Sequence, residues 1–221
     1  MPEHRYQQYC ALARALDVAG DRWTLLIIRE LVPGPRRFTD LLQGLPGISR
    51  NLLTERLRDL ERDGVVTRQE LPPPAARQVY ALTADGRDLA AAIAPLIAWG
   101  AKRLSDRDAA DRFHPRWAGI GMSALADRDA AVGVHETYQF VVDGTAFHFV
   151  IDDGTIEVHD GKADDPAVTW TVDEESWARI VTGTLTADAA IDSGALIVKG
   201  DSRAVRRLRK IFSRSKMLGQ V

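Results

Sequence analysis

Ser49, Arg50, Asn51, Thr54 and Arg58 are the residues whose types and spacing could do the most chemistry. At about 100° per residue, Asn51, Thr54, Glu55, Arg58 and Arg62 fall on one side of a helix, with Arg50 near its edge. Forked guanidinium groups and an amide crowded there are hydrogen-bond donors with a defined use. Arg can meet guanine, and Asn adenine, through two parallel bonds. Ser49 stands where a hydroxyl accepts a bond from a free amide of a first helical turn. The other side is apolar: Leu53, Leu57 and Leu60 at i, i+4 and i+7 form one stripe that must be buried. Spacing alone leaves two readings open, an ordinary helical hairpin with a solvated charged face and a helix that enters a nucleic-acid groove.

The flanking residues say how such a helix would be held. Ile48 and Leu53 have staple spacing, Gly64 is a left-handed cap, and Leu41, Leu42 and Leu45 mark a shorter preceding helix joined by the turn Leu45-Pro46-Gly47. Two β-prone runs follow, Val65 to Leu71 and Gln78 to Leu82, around Pro72-Pro73-Pro74-Ala75-Ala76-Arg77. Helix, helix and hairpin in that order describe a winged helix, with Arg77 at the wing tip placed for a phosphate or the minor groove. Upstream, Ala11 to Val18 is expected as a helix with Cys10 at its start, and Asp21 as the cap of a second one through Trp23, a core anchor, to Leu31. Phe38 would wedge into the core and leave Arg36 and Arg37 outside. Downstream, Thr83 caps a helix with Leu89, Ile93, Leu96, Ile97, Gly100 and Leu104 at helical period. That stripe would be covered by a second copy or by the downstream domain. Pro95 predicts a kink or break near Ala91.

The blocks CALARALDVAGDRW (Cys10 to Trp23), TLLIIREL, GPRRFTDLLQGL, PGISRNLLTERLRDLERDG (Pro46 to Gly64) and YALTADG (Tyr80 to Gly86) resemble, in order and spacing, the HxlR-type winged helix-turn-helix regulators of bacteria. The resemblance covers about the first 104 residues. It implies a dimeric DNA-binding transcription factor with Ser49, Arg50, Asn51 and Thr54 opening the recognition helix and Arg37 reaching the DNA backbone. In several such proteins a cysteine matching Cys10 senses oxidants or electrophiles; otherwise Cys10 is a small packing residue. The sequence departs from the family at Ala11, where many members have proline, and in the proline-rich wing. The DNA-binding candidates are thus Arg37, Ser49, Arg50, Asn51, Thr54, Arg58 and Arg77.

Polar Ser105 to Asp111 reads as a linker between domains 1–104 and 112–221. A helix from Phe113 to Leu125, with Trp117, Ile120 and Leu125 inward, leads into strand-like runs at Thr137 to Val142, Ala146 to Ile151, Thr155 to His159 and Val168 to Val172. Asp143-Gly144, Asp152-Asp153-Gly154 and Asp160-Gly161 are hairpin signals, so a meander of about four antiparallel strands is expected. Helices Glu174 to Val181 and Ala187 to Ile191, a strand Ala195 to Val198 and a basic helix Ser202 to Phe212 follow. The stretch from Asp165 to Phe212 resembles the sterol-carrier-protein-2-like domain, most closely around Ile197-Val198-Lys199-Gly200-Asp201. That resemblance implies a lipid-sized apolar pocket. Phe140, Phe147, Phe149, Trp170 and Trp177 recur so as to face one interior, which is either a filled core or a ligand cavity. Arg203, Arg206, Arg207, Arg209, Lys210, Arg214 and Lys216 form a basic run that could meet DNA or anionic lipid. Their apolar partners Val205, Leu208 and Phe212 favour a docked helix with a solvated face.

The fold class expected is therefore α+β: an N-terminal winged helix-turn-helix domain, then an α/β sterol-carrier-like domain whose antiparallel-rich sheet is covered by helices. The 221 residues are 45% apolar, enough for real cores, and the net charge of −2 argues against indiscriminate coating of nucleic acid. The positive excess lies in front: residues 1–104 hold 15 Lys and Arg against 12 Asp and Glu, the remainder 14 against 19. No apolar run approaches the ~20 residues that span a bilayer, and one cysteine excludes an internal disulfide, which together point to a cytoplasmic protein without a membrane partner. The histidines at 4, 114, 135, 148 and 159 make no metal-ligand spacing, and no phosphate loop or nucleophile elbow is present, so neither cofactor nor catalytic constellation is expected. Together with what the two resemblances imply, these features favour a regulator that binds a pseudo-palindromic duplex operator as a homodimer and responds to a lipophilic effector. The alternatives are a hydrophobic-ligand carrier whose front domain serves dimerisation, and an enzyme built on the back domain.

Overall fold

In the computed structural model, which describes residues 6–71, 77–104 and 111–213, Leu53, Leu57 and Leu60 are no more than 2% exposed. Each such side chain withdrawn from water contributes roughly 1.5–3 kcal/mol, so the stripe alone anchors its helix. Two units are distinguished along the chain, Met1–Ile93 and Ala94–Val221.

The first unit comprises α1 (Ala11–Ala19), α2 (Thr24–Leu31), α3 (Phe38–Gly44), α4 (Arg50–Arg62), β1 (Val66–Glu70), β2 (Gln78–Leu82) and the start of α5 (Ala84–Ala101), within which the unit boundary falls. Ser49 caps α4, its Oγ accepting from the Leu52 amide at 3.2 Å, and Gly64 leaves the helix at φ 75°, a conformation costly for any residue with a Cβ. β1 and β2 pair antiparallel, Arg68 opposite Tyr80. Tyr80 also exchanges both backbone bonds with Arg36, at 2.7 and 2.9 Å, which draws the α2–α3 connection onto the hairpin. Thr83 caps α5 through its bond from the Gly86 amide at 3.0 Å.

Several local expectations are corrected here. Asp21 does not cap α2: the helix starts at Thr24 behind Trp23, which sits at φ 84°, and the Asp21 carboxylate instead binds Arg56 at 2.5 Å. Trp23 and Phe38 are only half-buried, and Arg36 is half-buried rather than outside, its Nε donating to the Glu30 carbonyl at 3.3 Å. α5 runs unbroken through Pro95; Ala91 and Pro95 are both exposed, so water can satisfy the carbonyl the proline leaves unbonded. Wing residues 72–76, and 105–110 of the linker, lie outside the described residues.

The second unit contains α6 (Pro115–Leu125), a 3₁₀ turn (Asp129–Ala131), β3 (His135–Val142), β4 (Thr145–Asp152), β5 (Thr155–Asp160), β6 (Val168–Val172), α7 (Glu174–Thr182), α8 (Ala187–Asp192), β7 (Leu196–Gly200) and α9 (Ser202–Ile211). The sheet order is β5-β4-β3-β6-β7. Asp143-Gly144 and Asp153-Gly154 are true two-residue hairpin turns, with φ positive at both positions of each. Asp160-Gly161 is not: the chain crosses the sheet, held by bonds from the Ala163 amide to Gln139 (2.8 Å) and between His148 and the Gly161 carbonyl (3.1 Å). β6 then pairs parallel to β3, Phe140 opposite Trp170. The expected four-stranded meander therefore stops at three strands, because the free edge of β3 takes the fourth in the parallel sense.

Alternation along the strands sends Tyr138, Phe140, Val142, Phe147, Phe149 and Ile151 to one buried face. α6, α7 and α9 reach that face. Trp177 of α7 lies 5.3 Å from Phe140, Phe212 at the end of α9 lies 4.7 Å from Phe149, and α6 approaches so closely that a Cβ on Gly119 would fall 2.8 Å from the Phe147 ring.

Candidate nucleic-acid interface and apolar cavity

The arginines of α4 divide into two sets by what they touch. Arg56, half-buried, is tied to Asp21 at 2.5 Å and Asp59 at 3.1 Å, and Arg62 to Asp59 at 2.8 Å and Asp63 at 3.3 Å. Those bonds hold Arg62 above its ordinary pKa, Asp63 contributing most. Arg50 and Arg58 are exposed and, among the described residues, have no carboxylate partner; Arg50 instead lies 5.8 Å over the Phe38 ring. Exposed Asn51 follows Arg50 in the first turn, and half-buried Thr54 turns its hydroxyl back to the Arg50 carbonyl at 2.9 Å. Arg37, one residue before α3, and Arg77, at the foot of β2, are also exposed, and among the described residues neither guanidinium has a carboxylate partner, although the Arg37 backbone amide donates to the Asp40 carboxylate at 3.3 Å. Unpaired guanidinium groups on the first turns of a helix with a sealed opposite flank offer forked donors to an acidic, grooved surface.

Apolar side chains are exposed elsewhere. Leu12 (66%) and Leu16 (39%) on α1, and Leu96 (48%) and Trp99 (56%) on α5, are exposed, with the Arg103 guanidinium 3.4 Å over the Trp99 ring. Cys10, at the N-terminus of α1, is exposed. The backbone amides of Ala13 and then Leu12 hold its thiol below the ordinary pKa.

In the second unit, the aromatic candidates part company. Phe140, Phe147 and Phe149 are at most 1% exposed and pack on one another with centroids 5.3 to 5.8 Å apart, a filled core. Trp170 and Trp177 border that core on one side and, on the other, a cavity of about 260 Å³. α6 contributes Met122 to its wall, the α7–α8 connection Leu185 and Thr186, and α9 Leu208, Arg209 and Phe212. Sequence reading missed this wall except for the two tryptophans. Arg209, grouped there with a solvated basic run, lies in it and binds Asp188 at 2.7 Å. Arg207 of the same run is not free either: it clasps Glu136 through two donors, while Tyr138 donates its hydroxyl to the same carboxylate at 2.5 Å. Burial pushes Glu136 upward, but the bonds from Arg207 and Tyr138 outweigh it and leave the carboxyl below its ordinary range. Burial first, then Glu136, raises Tyr138. This clasp ties α9 to β3 and so sets the cavity wall. Arg214 and Lys216 lie outside the described residues. Among the described residues, no cluster of three or more His, Cys, Asp or Glu could hold a metal, and no helix is long and apolar enough to cross a membrane.

Residues 18–108 match the family model described as HxlR-like helix-turn-helix, and residues 121–213 match that of the SCP-2 sterol transfer family. Over 85 residues the chain is 40% identical to the HTH-type transcriptional regulator YodB of Bacillus subtilis, covering 38% of this chain and 76% of that protein. Over 101 residues it is 45% identical to an uncharacterized HTH-type transcriptional regulator of Mycobacterium tuberculosis, covering 46% of this chain and 63% of that relative's length. Among solved structures, the reduced form of YodB from B. subtilis aligns with a TM-score of 0.39 at 35% identity, over 46% of this chain and 100% of that one.

Proposed function

Because the chain belongs to the HxlR-like helix-turn-helix family, we propose that it is a transcriptional regulator whose α4 enters the major groove of an operator. The observation that carries the reading is the division on α4: Arg56 and Arg62 are used up in ion pairs, whereas Arg50 and Arg58 keep their donors open beside Asn51. Arg50, Asn51 and Arg58 read base edges or adjacent phosphates. Ser49 and Thr54 position the first turn, and Arg37 and Arg77 contact the backbone to either side. The protein acts as a homodimer, its exposed Leu96 and Trp99 on α5 supplying apolar surface for a two-fold contact. Paired recognition helices then meet successive major grooves about 34 Å apart on a pseudo-palindromic site. The cavity of the second unit holds a lipophilic effector, which shifts the equilibrium only if it binds the DNA-competent and incompetent forms with different affinity.

The test is selection of bound duplexes by the full chain, followed by footprinting and affinity measurement across a salt series. Two protected half-sites one helical turn apart, and affinity falling steeply with salt, are expected. Salt-insensitive binding without sequence preference would overturn the reading in favour of a carrier dimerised by its front domain.

A further inference from the structure

The cations of α9, like those of α4, divide by what they touch. Arg207 is held by Glu136 and Arg209 by Asp188. Arg203, Arg206 and Lys210 are exposed and, among the described residues, have no carboxylate partner. Together with Ser202 they make up the whole exposed side of the helix. Their spacing of i, i+3 and i+7 sets them in one row about 10 Å long. Asp201, which caps α9, turns its carboxylate to the amides of Arg203 and Ala204, at 2.9 Å each. Arg203 stands in a first turn that holds no acid, where the helix dipole disfavours a cation, so helix stability does not account for the row. We propose that α9 is a second DNA contact, with Arg203, Arg206 and Lys210 gripping duplex phosphates outside the half-sites; this rests on the operator-binding reading above.

Charge complementarity selects the partner. Residues 105–221 are acidic overall, yet five of their 14 Lys and Arg fall in the ten residues of α9, which hold no Asp or Glu. The rest of that stretch holds nine against 19. A body so divided is repelled by a polyanion everywhere except along α9, which fixes the side that turns to the duplex. B-DNA carries one negative charge per about 1.7 Å of axis, so the row faces several phosphates at once. A lipid surface fits less well. A helix that lies in a membrane interface buries an exposed apolar side, whereas that of α9 is already taken: Ala204, Leu208 and Ile211 are at most 1% exposed and Phe212 7%. Sequence-independent phosphate binding is weak alone, with Kd on the order of 10⁻⁴ M. Attachment to a bound winged helix holds the row near the duplex at roughly millimolar concentration, so the contact adds about tenfold in affinity.

Anisotropy titrations of the full chain test this on two lengths of the selected duplex, one ending at the half-sites and one extended by a helical turn, about ten base pairs, on each side. The extension should raise affinity about tenfold and steepen the salt dependence, by at most about five in logarithmic slope for six cations of a dimer. The combined variant Arg203→Gln, Arg206→Gln, Lys210→Gln should lose that gain and keep both the short-duplex affinity and the Tm of the parent, since it removes no ion pair of the fold. Arg203→Lys with Arg206→Lys should retain it, as phosphates read charge. Equal affinity of the parent for both lengths, or a gain undiminished in the glutamine variant, refutes the inference. So does capture by vesicles of equal phosphatidylserine and phosphatidylcholine that the glutamine variant loses while the extension adds nothing, which would make α9 a membrane contact. If the short duplex is bound with sequence preference and the extension adds nothing, only this inference falls. If neither length is bound with sequence preference, the operator-binding reading falls and takes this one with it.

Discussion

Replacing Arg50 by alanine should separate recognition from folding. Arg50 is exposed, has no carboxylate partner among the described residues, and meets only the Phe38 ring at 5.8 Å, a contact worth about 0.5–1 kcal/mol at an exposed site. Alanine is the better helix former, so the fold should lose less than about 1 kcal/mol. On DNA the variant loses a two-pronged base contact of about 1–3 kcal/mol per half-site. Two half-sites of a dimer double that to about 2–6 kcal/mol, or roughly 30-fold to 10⁴-fold in affinity. Arg56→Ala is the contrasting perturbation. It breaks the ties to Asp21 and Asp59, whose side chains are 49% and 30% exposed, so after discounting for solvent it costs about 1–2 kcal/mol. For a unit of this size that lowers Tm by roughly 5–15 °C. Below that Tm, duplex affinity should change less than about threefold. Fluorescence anisotropy with a selected and a scrambled duplex, beside thermal unfolding, reads both quantities. If Arg50→Ala binds the selected duplex as the parent does, or loses equally on both duplexes, the arginine does not read sequence and the division on α4 has been misinterpreted.

Two further outcomes are expected. Glu136→Gln should destabilise the second unit by about 2–3 kcal/mol near neutral pH, since it removes the charged acceptor that Arg207 and buried Tyr138 share. The parent carboxyl is held below its ordinary 4.5, so its stabilisation is complete above that value and lost as pH falls through the lower folded value. The gap between variant and parent in urea midpoints should therefore close on acidification below about pH 4; a gap that persists unchanged would refute the clasp as its source. Cys10 should be alkylated by iodoacetamide in the folded protein, with a rate midpoint below the ordinary thiol value because two amides of α1 favour the thiolate. A midpoint at or above 9.0 would remove the basis for a sensing role.

Much of the fold is legible in the order of residues because its causes are close together along the chain. The Leu53, Leu57, Leu60 stripe, the Ser49 and Thr83 caps and the positive-φ turns at Asp143-Gly144 and Asp153-Gly154 each depend on a few adjacent positions. The donors at the start of α4 are legible for the same reason: helical period assigns them to the flank opposite the leucines. What no local pattern announces is which partner a strand or a charge will find at a distance. Asp160-Gly161 carries a hairpin's residues, yet β6 joins β3 in parallel because that edge was free. Arg207 and Arg209 look alike in sequence, and only the packing of α9 gives one to Glu136, 71 positions away, and the other to the cavity wall. The aromatic residues make the same point. Alternation marks Phe140, Phe147, Phe149, Trp170 and Trp177 as inward, but whether an inward ring meets another ring or a void depends on how α6, α7 and α9 close over the sheet. Periodicity along the chain fixes which side of an element is apolar; only the assembled helices and strands fix the volume left between them.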